Sequence, residues 1–225
     1  MSQSQKVFTD YYQNYRWGSS ESHSGPGSTI ENTEKLRASL KQIIQNYNIK
    51  SVTDFPCGDL NWIQLLFDDM EQYTGCDIVQ ECISENQNKF PQHRFECLDL
   101  SIDEIPVSDL LIVRDVIGHQ PLEIGVQMLN NIKNSGCKYL LSTTWAQKNN
   151  IGWTCPLETR DPELKDSPMV NQSVPVGGWY PINLMSDPFL LPLAEEFIEE
   201  DQHVGHMHLG YRKTLGLWNI SSLHV

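Results

Sequence analysis

The sequence has little positive charge and no long apolar run. Its 16 lysines and arginines stand against 29 aspartates and glutamates, which leaves a net charge of −13. A field of that sign repels phosphate backbones and anionic lipid surfaces. No apolar stretch approaches the roughly 18–20 residues that cross a bilayer. We therefore expect neither a nucleic-acid partner nor membrane association.

Signals for secretion, redox chemistry and metal binding are also weak. The polar N-terminal residues have no apolar segment behind them, so we expect no secretory leader. The six cysteines lie too far apart for a C-x-x-C motif, which favours reduced thiols and a cytoplasmic location. His203, His206 and His208 lack further ligands of the kind that zinc sites use. We expect no metal site.

From residue 50 onward, strand and helix patterns alternate. Five strand-like segments cover residues 51–56, 73–78, 94–98, 109–116 and 138–144. Two further strands are predicted at 194–199 and 211–220, and the first helix is predicted at 29–47. Such alternation is typical of βαβ units. It predicts a Rossmann-like, doubly wound α/β fold with a mostly parallel seven-stranded sheet and helices on both faces.

The 225 residues suit a single domain. We divide it into an N-terminal cap and helix (1–49), a ligand-binding core (50–145), a lid-like insertion (146–188) and closing strands (189–225). The cap is rich in aromatics and then in glycine and serine. Packing alone does not explain Trp17 and the Gly/Ser run to Ser28, so we interpret residues 16–28 as a lid over a ligand.

Acidic residues lie at or near the ends of four consecutive predicted strands, at Asp54, Asp77, Asp99 and Asp115. In an open parallel sheet, ligands bind beyond these strand ends. An acid after the second strand can accept two hydrogen bonds from a ribose diol, and Asp99 could bind an adenine amino group. Gly58 provides a turn that a ligand can approach closely. The pattern predicts a cofactor that contains a nucleoside.

The turn after the first strand favours one such cofactor. Dinucleotide sites use a G-x-G-x-x-G turn that admits a pyrophosphate, whereas residues 57–62 contain one glycine and the carboxylate of Asp59. That carboxylate would repel a pyrophosphate but tolerate a sulfonium cation. S-adenosylmethionine is therefore favoured over a nicotinamide dinucleotide.

Four segments together resemble the successive motifs of class I S-adenosylmethionine-dependent methyltransferases. These segments are residues 54–62, 75–78, 98–100 and 114–119. The flanks at 16–28 and 178–184 resemble a narrower group of small, mostly bacterial members. The resemblance implies that residues 54–59 cradle the methionine part, that Asp77 binds the ribose and that Asp99-Leu100 flanks the adenine. In that family the first motif more usually has two or three glycines, whereas this sequence has only Gly58 there. The predicted cofactor-binding set is Trp17, Asp54, Pro56, Cys57, Gly58, Asp59, Trp62, Asp77, Ile78, Asp99, Leu100 and Arg114.

The candidates for catalysis lie just past the fourth strand. His119 is the candidate general base, because an ordinary histidine pKa of about 6.5 suits proton removal; the alternative is a histidine that caps or packs before the next helix. Asp115 either orients the nucleophile or contacts the methionine ammonium. Trp145, Trp179 and Tyr180 either complete an aromatic acceptor pocket or cover the sheet.

The predicted reaction is methyl transfer to O or N of a small molecule or sugar unit. One alternative is a protein side chain as acceptor. Others are a nicotinamide-dependent oxidoreductase and a catalytically silent fold that serves as a binding partner. The sequence leaves the oligomeric state open.

Overall fold

The structure, a computed structural model, describes residues 1–149, 152–154, 171–200 and 211–223. Its strands are β1 (Ser51–Asp54), β2 (Gln72–Asp77), β3 (Arg94–Cys97), β4 (Leu110–Val113), β5 (Tyr139–Asn149), β6 (Gly152–Thr154), β7 (Glu196–Glu199) and β8 (Tyr211–Asn219). They form one sheet with the order β3-β2-β1-β4-β5-β8-β7, and β6 pairs with β5 outside this path.

The sheet is mixed, which corrects the prediction in part. Strands β1 to β5 pair in parallel along the path, whereas β8 is antiparallel to both β5 and β7. Only residues 200–210 separate β7 from β8, fewer than the dozen or so that a parallel crossover needs. The short β6 is an additional antiparallel strand beside β5.

Helices cover both faces of the sheet. They are α1 (Gln3–Gln13), α2 (Glu34–Asn46), α3 (Gln80–Lys89) and α4 (Leu122–Lys133). All four residues of β4 are buried, and they alternate between two core clusters. Leu110 and Ile112 pack in the cluster that contains α2, and Leu111 and Val113 in the one that contains α4. Each fully buried side chain of this size contributes roughly 1.5–3 kcal/mol.

Local boundaries differ from the predicted ones where short-range hydrogen bonds compete with helix formation. The helix expected at 29–47 begins at Glu34, because the chain first forms a 3₁₀ turn at Pro26–Ser28 and the Thr33 hydroxyl then donates to the Thr29 carbonyl. After β1, residues Ile63–Asp69 form a 3₁₀ helix.

Strand β5 continues to Asn149, into the segment that we predict as an insertion. From residue 171 onward, this segment packs along the carboxyl end of β5. The Trp145 amide donates to the Ile182 carbonyl at 2.7 Å, and the Leu184 amide donates to the Thr144 hydroxyl at 3.0 Å. This places residues 177–182 beside the strand ends that carry the candidate site.

Candidate active site

A cavity of about 490 Å³ lies beyond the carboxyl ends of β1, β2 and β4. Every residue of the predicted cofactor-binding set lines it, as do Asp115, His119, Trp145 and Trp179. Tyr180 is the exception among the predicted site residues. It borders a small adjoining pocket, and its backbone amide donates to the Gly118 carbonyl.

The turn after β1 favours glycine at position 58. Gly58 has a φ of 54°, and a Cβ atom there would lie 2.2 Å from Ser24 Oγ. Its amide donates to Asp77 Oδ2 at 3.1 Å, and its carbonyl accepts from Asn86 Nδ2 at 2.7 Å. The backbone conformation favours glycine here, and a side chain at this position would force the Ser24 hydroxyl to move.

Asp77 links the ends of β1 and β2. Its second oxygen accepts from the Val79 amide at 3.0 Å. Burial raises the pKa of Asp77 to about 6, although the backbone N–H donors of Val79 and Gly58 act in the opposite direction. Each carboxylate oxygen has two lone pairs, so both oxygens keep capacity for a ligand.

Asp54 ends β1 inside the cavity wall. Its Oδ2 accepts from the Tyr73 hydroxyl at 3.0 Å. Burial raises the pKa of Asp54 to about 7, against the hydrogen bond from Tyr73 and the charge of Arg114. Near neutral pH this carboxyl is therefore divided between its ionised and neutral forms, and a nearby cation would favour the ionised form.

Asp99 and Asp59 already have protein partners. Asp99 Oδ1 accepts from the amide and hydroxyl of Ser101, at 3.1 and 2.6 Å. Asp59 accepts from the Ser22 hydroxyl at 2.9 Å and from the His23 amide at 2.7 Å. The carboxylate that sequence reasoning placed beside a sulfonium thus holds the N-terminal segment in this structure.

We call residues 16–28 the cover segment, because they line one side of the cavity. The Trp17 ring packs edge-on against His119, with ring centroids 4.7 Å apart. Arg114 Nη2 donates to the Gly27 carbonyl at 2.7 Å, and Nη1 donates to the Ser28 hydroxyl at 3.2 Å. Asp59 and Arg114 therefore anchor the segment at two points.

His119 ends the 3₁₀ turn Ile117–His119 that follows β4. Its Nδ1 lies 2.6 Å from the Gly178 carbonyl oxygen. A carbonyl only accepts, so Nδ1 carries the proton and the lone pair of the neutral ring is on Nε2. Burial lowers the pKa of His119, although the charge of Asp115 opposes the shift. The imidazole is thus neutral and able to accept a proton.

Sequence reasoning missed two charged residues of the site, Glu200 and Lys213. Lys213 Nζ lies 2.6 Å from Asp115 Oδ2 and 2.8 Å from Glu200 Oε2. Both residues line the cavity. The end of β7 and the antiparallel strand β8 bring them to residues about one hundred positions earlier in the chain. The only local signal was a charged side chain within or next to a predicted closing strand.

Expectations from the sequence also concern metal groups, membrane-spanning helices and thiols. Among the described residues, no group of three or more His, Cys, Asp or Glu side chains is arranged to hold a metal ion. His203, His206 and His208 lie outside the described residues. No described helix is long and apolar enough to cross a membrane. Five cysteines, all but Cys155, are described, and they are free thiols.

Known structures share this fold, although no protein-family model and no curated protein matches the sequence. The N-methyltransferase NodS from Bradyrhizobium japonicum, solved with S-adenosyl-L-homocysteine, is 11% identical with a TM-score of 0.54, covering 93% of this chain and 98% of its own. Magnesium protoporphyrin IX methyltransferase from Synechocystis is 12% identical, with a TM-score of 0.55 and coverages of 95% and 98%. The methyltransferase domain of bacterial CtHen1 is 13% identical, with a TM-score of 0.53 and coverages of 83% and 98%. The chain has the fold of class I methyltransferases.

Proposed function

We propose that the protein is an S-adenosylmethionine-dependent methyltransferase that methylates an O or N atom of a small molecule or sugar unit. The observation that carries the proposal is the cavity of about 490 Å³ with an acid at each of four strand ends and a tight glycine turn. Its volume lies within the range of small-molecule sites.

The residues fit a cationic nucleoside cofactor. Gly58 brings backbone close to the cavity, and Asp77 can accept hydrogen bonds from a ribose diol beside it. Asp54 is a buried carboxyl whose ionised form a sulfonium or ammonium group would favour. The NodS structure holds S-adenosyl-L-homocysteine, and the protoporphyrin enzyme has been solved with S-adenosylmethionine as well. These similarities support the same cofactor here.

The acceptor end of the cavity is aromatic and contains a base. Trp17, Trp145 and Trp179 line the same cavity as His119. Flat aromatic walls with a few polar groups suit a small organic acceptor. The net charge of −13 disfavours a polyanionic one. The Synechocystis enzyme is named for a porphyrin, so this fold accommodates a small organic acceptor in that protein.

In the proposed reaction, S-adenosylmethionine would supply the methyl group; its bond to the sulfonium sulfur breaks as the new bond forms, which leaves S-adenosylhomocysteine. The chain orients the acceptor so that its O or N lone pair attacks in line, and His119 Nε2 removes the acceptor proton. Orientation and proton removal are the two contributions expected from the protein. Asp115, held ionised by Lys213 and Arg114, is the hydrogen-bond acceptor that orients the nucleophile.

Calorimetry tests the cofactor. We expect S-adenosylmethionine and S-adenosylhomocysteine to bind below millimolar concentration, with NAD as the comparison. Asp77→Ala should weaken binding about 10- to 100-fold, the range for losing a hydrogen bond to a charged group. Asp68→Ala removes an exposed acid outside the cavity and is the matched control. Because Asp77 also holds two backbone amides, thermal unfolding of each variant must accompany the titration.

Binding of NAD alone would favour the oxidoreductase alternative, and binding of neither ligand would overturn the proposal. The acceptor is sought with labelled S-adenosylmethionine and a panel of amines, alcohols, methyl glycosides and peptides. Transfer to a peptide alone would favour a protein side chain. Cofactor binding without transfer to any member would favour the silent fold.

A further inference from the structure

The charged residues at the acceptor end form one connected group, the charge cluster, which consists of Arg114, Asp115, Glu200 and Lys213. Arg114 Nε donates to Glu200 Oε1 at 2.8 Å, and Lys213 contacts both carboxylates. Arg114 Nη1 lies 3.4 Å from Asp115 Oδ2. Two cations and two carboxylates thus alternate across the ends of β4, β7 and β8.

The two halves of the cluster differ in access to the cavity. The side chains of Arg114 and Glu200 are 6% and 3% exposed, whereas those of Asp115 and Lys213 are 30% and 20% exposed. Arg114 and Glu200 therefore form a buried ion pair that contacts Asp115 and Lys213 from behind. The pair of Asp115 and Lys213 is the half that a bound molecule can contact.

Asp115 is held in an unusual conformation. Its φ of 54° is uncommon for a residue other than glycine and persists where surrounding contacts fix it. Thr143 supplies two of these contacts: its hydroxyl oxygen accepts from the Asp115 amide at 3.0 Å and lies 3.1 Å from Asp115 Oδ1. Lys213 supplies the third, at Oδ2. Thr143 thus fixes one side of the residue and Lys213 the other.

We propose that Lys213 is a positioning residue that acts through Asp115, keeping this carboxylate charged and fixed beside His119 to orient the acceptor. Its effect on catalysis rests on the proposed methyl transfer; its effect on Asp115 does not. The remaining titratable or charged groups that face Asp115 are Arg114 and His119, and Glu200 is the second carboxylate on Lys213.

The electrostatic balance at Asp115 supports this role. Burial by itself would raise the pKa of Asp115, but the charge of Lys213, followed by that of Arg114, outweighs burial and holds the pKa below its usual range. Without Lys213, the desolvation cost is opposed mainly by Arg114 at the longer distance of 3.4 Å. The carboxyl should then bind a proton at a higher pH.

Carbon-13 NMR of the aspartate carboxyl groups tests the proposal without any ligand. The Asp115 resonance is assigned by its loss in Asp115→Asn. In the wild type the pKa of Asp115 lies below the ordinary value, so this resonance should not titrate between about pH 8 and 4. In Lys213→Met it should titrate within that range, and Lys213→Arg should restore the flat profile. Lys138→Met removes an exposed lysine outside the cavity and is the control. A flat profile in Lys213→Met would overturn the proposal.

The catalytic consequence needs a second measurement. With labelled S-adenosylmethionine and the panel compound that the wild type methylates fastest, Lys213→Met should lower transfer about 10- to 100-fold, and Lys213→Arg should retain most of it. In an Asp115→Asn background, Lys213→Met should add little, because the lysine acts through that carboxylate. Full additivity, or normal transfer despite a titrating Asp115, would contradict the proposed role. If the wild type binds no cofactor, the proposed function fails and the NMR result still decides whether Lys213 controls Asp115.

Discussion

Replacing Gly58 by alanine should test how closely the cover segment sits on the turn after β1. A Cβ atom at Gly58 would lie 2.2 Å from Ser24 Oγ, and the residue has a φ of 54°. Gly18 provides the matched control. It also has a positive φ, 73°, but a Cβ atom there would meet nothing within 4 Å. Gly18→Ala thus carries the backbone strain without the overlap.

The two effects have separate magnitudes. A left-handed conformation costs an L-residue roughly 1–2 kcal/mol, and the stiffer unfolded chain returns about 0.4–1 kcal/mol of it. Gly18→Ala should therefore cost about 1 kcal/mol. Gly58→Ala adds the overlap with Ser24, and overpacking a close contact typically costs about 1–3 kcal/mol. The expected losses correspond to melting-temperature drops of roughly 2–4 °C and 4–16 °C for a chain of this length.

Thermal unfolding measures the difference, and Ser24→Gly identifies its origin. Combined with Gly58→Ala, Ser24→Gly removes the atoms that overlap and should return the loss to that of Gly18→Ala. Calorimetry with S-adenosylhomocysteine should show weaker binding only in Gly58→Ala. If Gly58→Ala and Gly18→Ala melt together, or if Ser24→Gly returns nothing, the cover segment does not rest on the turn.

Three further predictions concern the lid, the base and the buried acids. Trypsin should cleave after the exposed Arg16 more slowly once S-adenosylmethionine is added, because ligand contacts with Trp17 would stabilise the closed cover segment; unchanged cleavage would contradict a lid. His119→Ala should slow single-turnover methyl transfer about 10²- to 10⁴-fold, whereas His93→Ala, outside the cavity, should leave it unchanged. Wild-type activity should persist below pH 6.5, because burial lowers the pKa of His119. Burial raises the pKa of Asp77 to about 6 and that of Asp54 to about 7, so binding of a cationic ligand that favours their ionised forms should release protons. The affinity for S-adenosylmethionine, measured by calorimetry, should therefore rise from about pH 5 to 8. An affinity that does not change with pH would exclude this coupling between binding and ionisation.

The acids at the strand ends could be predicted from sequence, because each lies at the last residue of a strand or within two residues of it, and local hydrophobic patterning locates the strands. β4 illustrates this: four consecutive apolar residues, all buried, lead to Arg114 and Asp115. Parallel strands present their carboxyl ends at one edge, so strand order is not needed to bring such residues together. The cavity therefore contains all the predicted cofactor-binding residues.

Contacts that depend on long-range packing could not be predicted in this way. The pairing of Asp59 with Ser22 and His23 depends on where the cover segment returns to the sheet. The contact of Lys213 with Asp115 depends on the antiparallel direction of β8 and on its place beside β5. A single sequence shows that β8 is a strand, but neither its neighbour nor its direction follows from its own residues.

Part of the net charge of −13 lies in the cavity, where the acids outnumber the cations. Six carboxylates and two cations line the cavity. Both cations are committed to Asp115 and Glu200, which leaves the acids at the ends of β1 and β2 without a paired cation. The raised pKa values of Asp54 and Asp77 express the cost of burying them charged. A ligand that carries positive charge relieves this cost, whereas an anionic ligand increases it. Under the proposed function, affinity for a cationic cofactor would follow from which acids lack a paired cation, and composition alone contains no such information.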